Sequence, residues 1–135
     1  MTDPATPSAG PSDEAVTDPE DAKLVVLARG ARGRAGTPTG AAVRDDDGRT
    51  YAAGDVRLAS LGLSALQAAV AAAVSSGARR LEAAVVVTDG SDDTDADRGA
   101  QAGDVPIGRA AVAELGAALL ITVDPSGSVL RQVTP

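Results

Sequence analysis

The sequence predicts a layered α/β domain, a mixed β-sheet flanked by helices, in the order α-β-β-α-β-α-β-β. Three observations carry this. A capped apolar stripe at helical spacing begins near residue 18, a nearly continuous apolar run occupies 81–87, and turn residues punctuate the segments between elements.

Residues 1–17 are rich in Pro, Ser, Thr and Asp and are expected to be a disordered acidic tail, leaving 18–135 as a single domain. Asp18, Pro19, Glu20 and Asp21 form a helix start: a cap, a first-turn proline and acids near the positive helix end. Leu24, Val25, Leu27, Ala28 and Ala31 supply its apolar stripe, and Gly33 and Gly36 mark its end. "TGAAVR" and "RTYAAGDV" flank "DDDG", a β-hairpin with Asp47 and Gly48 in its turn. An alanine-rich helix is expected from about Ser60 to Ser76, stopped by Gly77. "LEAAVVV" (81–87) then reads as a buried strand. An acidic loop at 89–104 leads to a short helix at "PIGRAAVAELG", with Pro106 near its first turn. "ALLITVD" and "SVLRQV", joined by "PSG", close the chain as two strands.

Composition bounds the chemistry. The 135 residues are 44% hydrophobic, with no Phe, no Trp and only Tyr51 as an aromatic. The core must be built from Ala, Val, Leu and Ile, so its elements should approach closely. The absence of His removes the side chain that titrates near neutral pH. The absence of Cys excludes disulfides, thiol nucleophiles and iron–sulfur centres. Since zinc sites draw chiefly on Cys and His, neither a metal nor a cofactor is expected.

The N-terminus is acidic and lacks a basic start or an apolar run, so no signal peptide is read. No segment has the length of a membrane span, and the expected location is the cytoplasm. The net charge of −7 is unevenly placed. Residues 1–21 hold six acids and no base, and 89–104 hold six acids against Arg98, leaving a mildly basic body. The bias of eleven Arg over one Lys reads as base composition.

Several patterns imitate sites. Asp93 to Asp104 places acids at calcium-loop positions 1, 3 and 5, but Arg98 stands where Gly is required and Asp104 where a bidentate Glu belongs. A solvated acidic loop is the reading. Arg29, Arg32 and Arg34, like Arg79 and Arg80, sit at helix C-termini, where cations are favoured locally. With no aromatics to stack bases, no nucleic-acid partner is expected. Ser75 and Ser76 have no nearby base to activate them.

Fragments at nearly constant spacing over residues 20–135 give the chain its resemblance to a known family. Thr39-Gly40-Ala41-Ala42 stands for a Val-Gly-Ala-Ala strand, Asp47-Gly48 for a hairpin Asp-Gly, and Ala73-Val74-Ser75-Ser76-Gly77 for the close of a helix, Ala-Val-Ser-x-Gly. The chain resembles the small cytidine deaminases, which implies a cytidine deaminase-like fold. The resemblance places Ser64 at a zinc-binding Cys and Leu66 at the proton-shuttling Glu. Pro106-Ile107-Gly108-Arg109-Ala110 stands for Pro-Cys-Gly-x-Cys, so Ile107 and Ala110 replace two further ligands, although the following helix is about two residues short. Asp55-Val56-Arg57-Leu58 stands for the ribose-gripping Asn-x-Glu-Asn, and Thr37 for a Phe.

In the zinc deaminases the metal lowers the pKa of its bound water, and a Glu that is not a ligand carries the proton. The resemblance therefore implies a degenerate member without catalytic residues: Ser64, Leu66, Ile107 and Ala110 at the chemical positions, and Asp55, Arg57 and Leu58 at the substrate positions. A non-catalytic scaffold or interaction protein is expected, a dimer or tetramer by analogy with the family. Its alanine helix (Ala65, Ala68, Ala69, Ala71, Ala72 and Ala73) would serve close contacts within or between subunits. The alternatives are an active zinc deaminase and a nucleoside-binding module using an apolar cavity lined by Leu66 and Ile107.

Overall fold

The computed structural model describes residues 15–90 and 106–135. Helix α1 (Pro19–Ala35) starts as the sequence dictates: the Asp18 carboxylate accepts the N–H groups of Glu20 at 2.8 Å and Asp21 at 3.2 Å. It runs through Gly33 and ends at Gly36, whose φ of 67° is the left-handed conformation that glycine tolerates. Leu24, Val25, Ala28 and Ala31 are buried, whereas Leu27 is partly exposed beside an exposed Val26.

The main sheet has the order β2-β1-β5-β6-β7. Its strands are β1 (Thr39–Asp45), β2 (Thr50–Gly54), β5 (Leu81–Thr88), β6 (Leu119–Val123) and β7 (Val129–Val133). Only β5 and β6 run parallel, so the sheet is mixed, as expected. A second, two-stranded piece pairs β3 (Val56–Arg57) with β4 (Gly62–Leu63). These two strands add to the expected order and correct one boundary, since α2 (Ala65–Ser75) begins well after Ser60. The reason is local. Ser64 accepts the Gln67 N–H at 3.1 Å while its own N–H reaches Gln67 Oε1 at 2.9 Å, a reciprocal cap that Ser60, followed by Leu63, cannot form.

The last helix is also shorter than expected. α3 spans Arg109–Glu114, because Pro106 and Ile107 form a turn and Gly108, at φ 115°, cannot be helical. Ala15, placed in the tail by the sequence, bridges Ser128, and Val16 packs on the apolar layer beneath α1.

Alternation along the strands divides the core into two layers. On one face Leu24, Val25 and Ala28 of α1 meet Ala42, Ala83, Val85, Val87, Ile121 and Val123. On the other, Leu66, Ala69, Val70 and Ala73 of α2 and Val112 of α3 meet Ala41, Val43, Ala84, Val86 and Leu120. β5 is apolar on both faces because both are covered. With small side chains, α1 lies almost on the sheet: a Cβ at Gly40 would stand 2.2 Å from the Ala28 carbonyl oxygen and 2.7 Å from the Arg32 nitrogen. Arg44 ties the layers together at 3.1 Å from Asp21 and 2.9 Å from Glu82.

The sequence marks Asp45, Asp46 and Asp47 only as a turn, but the structure separates them. Asp45 is 1% exposed, and its carboxylate accepts the N–H groups of Asp47 and Arg49, both at 2.9 Å, and the Tyr51 hydroxyl at 3.2 Å. Burial alone would push its pKa up. The Arg49 and Asp47 N–H groups and the Tyr51 hydroxyl outweigh it and hold the carboxyl below the ordinary range. A carboxyl lowered on folding adds stability that is complete above its unfolded value of about 4 and is lost as pH falls through the folded value. The stability advantage of the native chain over Asp45→Asn is therefore expected to be constant near neutrality and to shrink below about pH 4. Urea unfolding from pH 7 to 3 checks this; an advantage independent of pH would refute it.

Candidate functional site

Three starts converge at one end of the sheet: the N-termini of β1, α2 and α3. Asp55, directly after β2, holds the first two. Its Oδ1 accepts the Thr39 hydroxyl at 2.6 Å and the Ala65 N–H at 2.8 Å, and its Oδ2 accepts the Thr39 N–H at 3.3 Å. The Ala65 N–H is one of the unsatisfied donors of a helix start, and the positive helix end favours a carboxylate there. The Asp55 N–H in turn donates to the Thr37 hydroxyl at 3.1 Å, which donates to the Thr39 carbonyl at 3.0 Å. Thr37 thus joins a polar network where the resemblance implied an aromatic contact.

Ser64 joins the second and third starts. Its hydroxyl donates to the Ile107 carbonyl at 2.6 Å and also accepts the Gln67 N–H. Beside this bond Leu66, 1% exposed, is part of the core under the 106–108 turn. Gly108 lies so near that a Cβ on it would stand 3.1 Å from Leu66 Cβ and Cγ.

Asp55, Ser64, Leu66 and Ile107 are therefore brought together at this end. The other candidates are exposed, and of them Arg57 touches the buried cluster. Arg57, in β3, reaches Asp55 at 3.4 Å from a half-exposed position. Leu58 is 64% exposed at the β3–β4 turn, where its N–H bonds the Leu61 carbonyl. Ala110 is exposed on α3.

The remaining patterns resolve locally. The Ser75 hydroxyl donates to the Ala72 carbonyl, and Ser76 caps α2. Arg32 bonds the Pro38 carbonyl at 3.0 Å and Asp89 at 3.1 Å. The calcium-like stretch Asp93–Asp104 lies outside the described residues; among those described, the Asp45–Asp47 carboxylates form an acidic group whose buried member is already engaged by two N–H groups and the Tyr51 hydroxyl. Two hollows, of about 350 and 500 Å³, open on the α1 side of the molecule, away from Leu66 and Ile107.

Sequence reasoning missed Asp45 and Asp124. The Asp124 carboxylate, held below its ordinary range by the Ser126 hydroxyl and then the Ser128 N–H, organises the β6–β7 turn. The signal was present as Asp followed two residues later by Ser, the pattern of a side-chain-closed turn. Among the described residues no helix is long and apolar enough to cross a membrane.

Comparison with known proteins agrees with this architecture. A family model described as cytidine deaminase-like matches residues 17–127. No curated protein matches the chain by sequence. Among solved structures it is similar to cytidine deaminase from Burkholderia pseudomallei, at 23% identity and a TM-score of 0.63 over 83% of this chain and 90% of that one. It is similar to the Mycobacterium tuberculosis enzyme at 28% identity and 0.58, covering 87% and 91%, and to the Mycobacterium leprae enzyme at 26% and 0.54, covering 82% and 92%. With the matched model spanning most of the chain and the helices and mixed sheet in the same arrangement, this protein belongs to the cytidine deaminase-like family.

Proposed function

We propose that the chain is a non-catalytic member of this family that acts as an oligomeric scaffold or interaction protein. One observation carries the reading: the Ser64 hydroxyl is committed to the Ile107 carbonyl at 2.6 Å, beside a Leu66 buried in the core. At the positions where the resemblance implies metal ligands and a proton shuttle, this chain has a helix cap, a backbone hydrogen bond and packing.

The donor set does not fit zinc. Ile107 and Ala110 have no side-chain donor, the Ser64 hydroxyl is already engaged, and the whole sequence lacks His and Cys. Leu66 has no group that could accept a proton from water or deliver one to a leaving amine. A ribose hydroxyl approaching Asp55 would have to displace the bonds that hold Thr39 and the start of α2.

The scaffold part of the reading rests on α2. Ala65, Ala69 and Ala73 face its own sheet, while Ala71 and Val74 lie exposed on a helix that bears no charge. A dimer or tetramer in the cytoplasm, without nucleic acid, cofactor or membrane, is the assembly we infer.

The deciding experiment uses a tag-free preparation, because a histidine tag supplies metal ligands of its own. Metal analysis is expected to find no stoichiometric zinc, incubation with cytidine no uridine, and light scattering at micromolar concentration a dimer or larger. Stoichiometric zinc with uridine formation would overturn the non-catalytic reading. A monomer alone would overturn the scaffold, and stabilisation by a nucleoside in a thermal-shift screen would favour a binding module.

A further inference from the structure

The hollow of about 350 Å³ lies on the α1 face of the sheet, beyond the carboxyl ends of the parallel strands β5 and β6, where Val87 and Pro125 wall it. This volume falls in the range of small-molecule sites. Its remaining lining comes from one face of α1: Val26, Arg29, Gly30 and Arg32. The two arginines are used differently. Arg32 is fixed by the Pro38 carbonyl and by Asp89, and this pair of bonds sets its planar fork at the hollow's wall. Arg29 has no hydrogen-bond or ion-pair partner among the described residues. Among the described residues a chain of net charge −7 thus keeps an unpaired guanidinium beside a fixed one, against an apolar wall that includes an exposed Val26.

We propose that this hollow binds a small organic oxyanion. Its phosphate or carboxylate pairs with Arg29 and with the N–H groups of Arg32 that Pro38 and Asp89 leave over, and its short apolar part rests on Val26, Val87 and Pro125. Guanidinium groups suit this ligand because their N–H donors match the oxygens of phosphate and carboxylate in pairs. The apolar wall favours an organic anion over a bare ion, and Asp89 competes with it for Arg32. The site lies across the sheet from Ser64 and Leu66 and is independent of what those residues do.

The test follows backbone amide shifts of the full chain during titration with butyl phosphate, butyrate and inorganic phosphate at constant ionic strength. Saturable shifts at Gly30 and Val87 are expected with butyl phosphate or butyrate, and weaker ones with inorganic phosphate; which organic probe binds tighter separates the phosphate source from the carboxylate source. Arg29→Ala should weaken binding about tenfold while leaving the fold intact, since this exposed side chain has no partner among the described residues. Asp89→Asn should tighten it. Arg79→Ala, an exposed arginine outside the hollow, should leave it unchanged. Absence of saturable shifts with all three anions, or equal weakening by Arg79→Ala and Arg29→Ala, would overturn the proposal.

Discussion

Leu66→Glu is expected to destabilise the chain by about 4 kcal/mol or more at neutral pH, a large part of the 5–15 kcal/mol that holds a domain of this size together. The substitution introduces the residue type that the family resemblance implies at this position, into apolar surroundings. Leu66 is 1% exposed in a cluster with Ala41, Val43, Val112 and Leu120. The nearest polar groups are already used, the Ser64 hydroxyl by Ile107 and Gln67 by the cap. An ionised carboxylate there has neither water nor a partner. Leu66→Met, which conserves volume and polarity, is expected to change stability by about 1 kcal/mol or less. Urea unfolding of the two variants decides the matter: equal midpoints would show that Leu66 lines an open site. On the non-catalytic reading proposed above, the glutamate variant is expected to show no cytidine turnover, since the sequence has no His or Cys to hold a metal that would activate a water.

Asp55→Ala is expected to cost about 3 to 5 kcal/mol. Its carboxylate, 1% exposed, is the shared acceptor for the Thr39 N–H, the Thr39 hydroxyl and the Ala65 N–H, so truncation leaves several buried donors unpaired. The half-exposed Arg57, at 3.4 Å, contributes less to this loss than the buried donors, because solvent screens its charge. Asp55→Asn keeps one acceptor oxygen and should recover roughly half of the loss. Denaturant unfolding measures both. If Asp55 were chiefly a ligand contact, Asp55→Ala would lose nucleoside binding and keep its stability; the hydrogen bonds require the reverse.

These two residues show how far the sequence could be read. Ser64 and Leu66 are placed by the resemblance, through the family's spacing ahead of Ala73-Val74-Ser75-Ser76-Gly77. The boundary of α2 was misplaced, although Gln67 three residues after Ser64 carried the capping signal. β3 and β4 escaped because two-residue strands have no periodicity to detect. Asp55 was legible only as a substrate position implied by the resemblance; its partners come from β1 and α2, so its role as a structural acceptor could not be read from neighbouring residues. Asp45 was hidden among three consecutive aspartates, of which only one turns inward.

By itself the sequence determined the layered α/β class, the start of α1, the ends of α1 and α2, the doubly buried β5 and the lack of Cys and His donors. These follow from short-range causes: periodicity, capping chemistry, turn residues and the identities of the side chains. Only the tertiary structure decided that the Ser64 hydroxyl spends its donor on Ile107, 43 residues away, and that Asp55 binds the starts of β1 and α2. It alone set Arg29 and Arg32 around a hollow with Val87 and Pro125. Hydrogen bonds and close packing act over a few ångströms, and which distant residues come within that range is fixed only when the layers close.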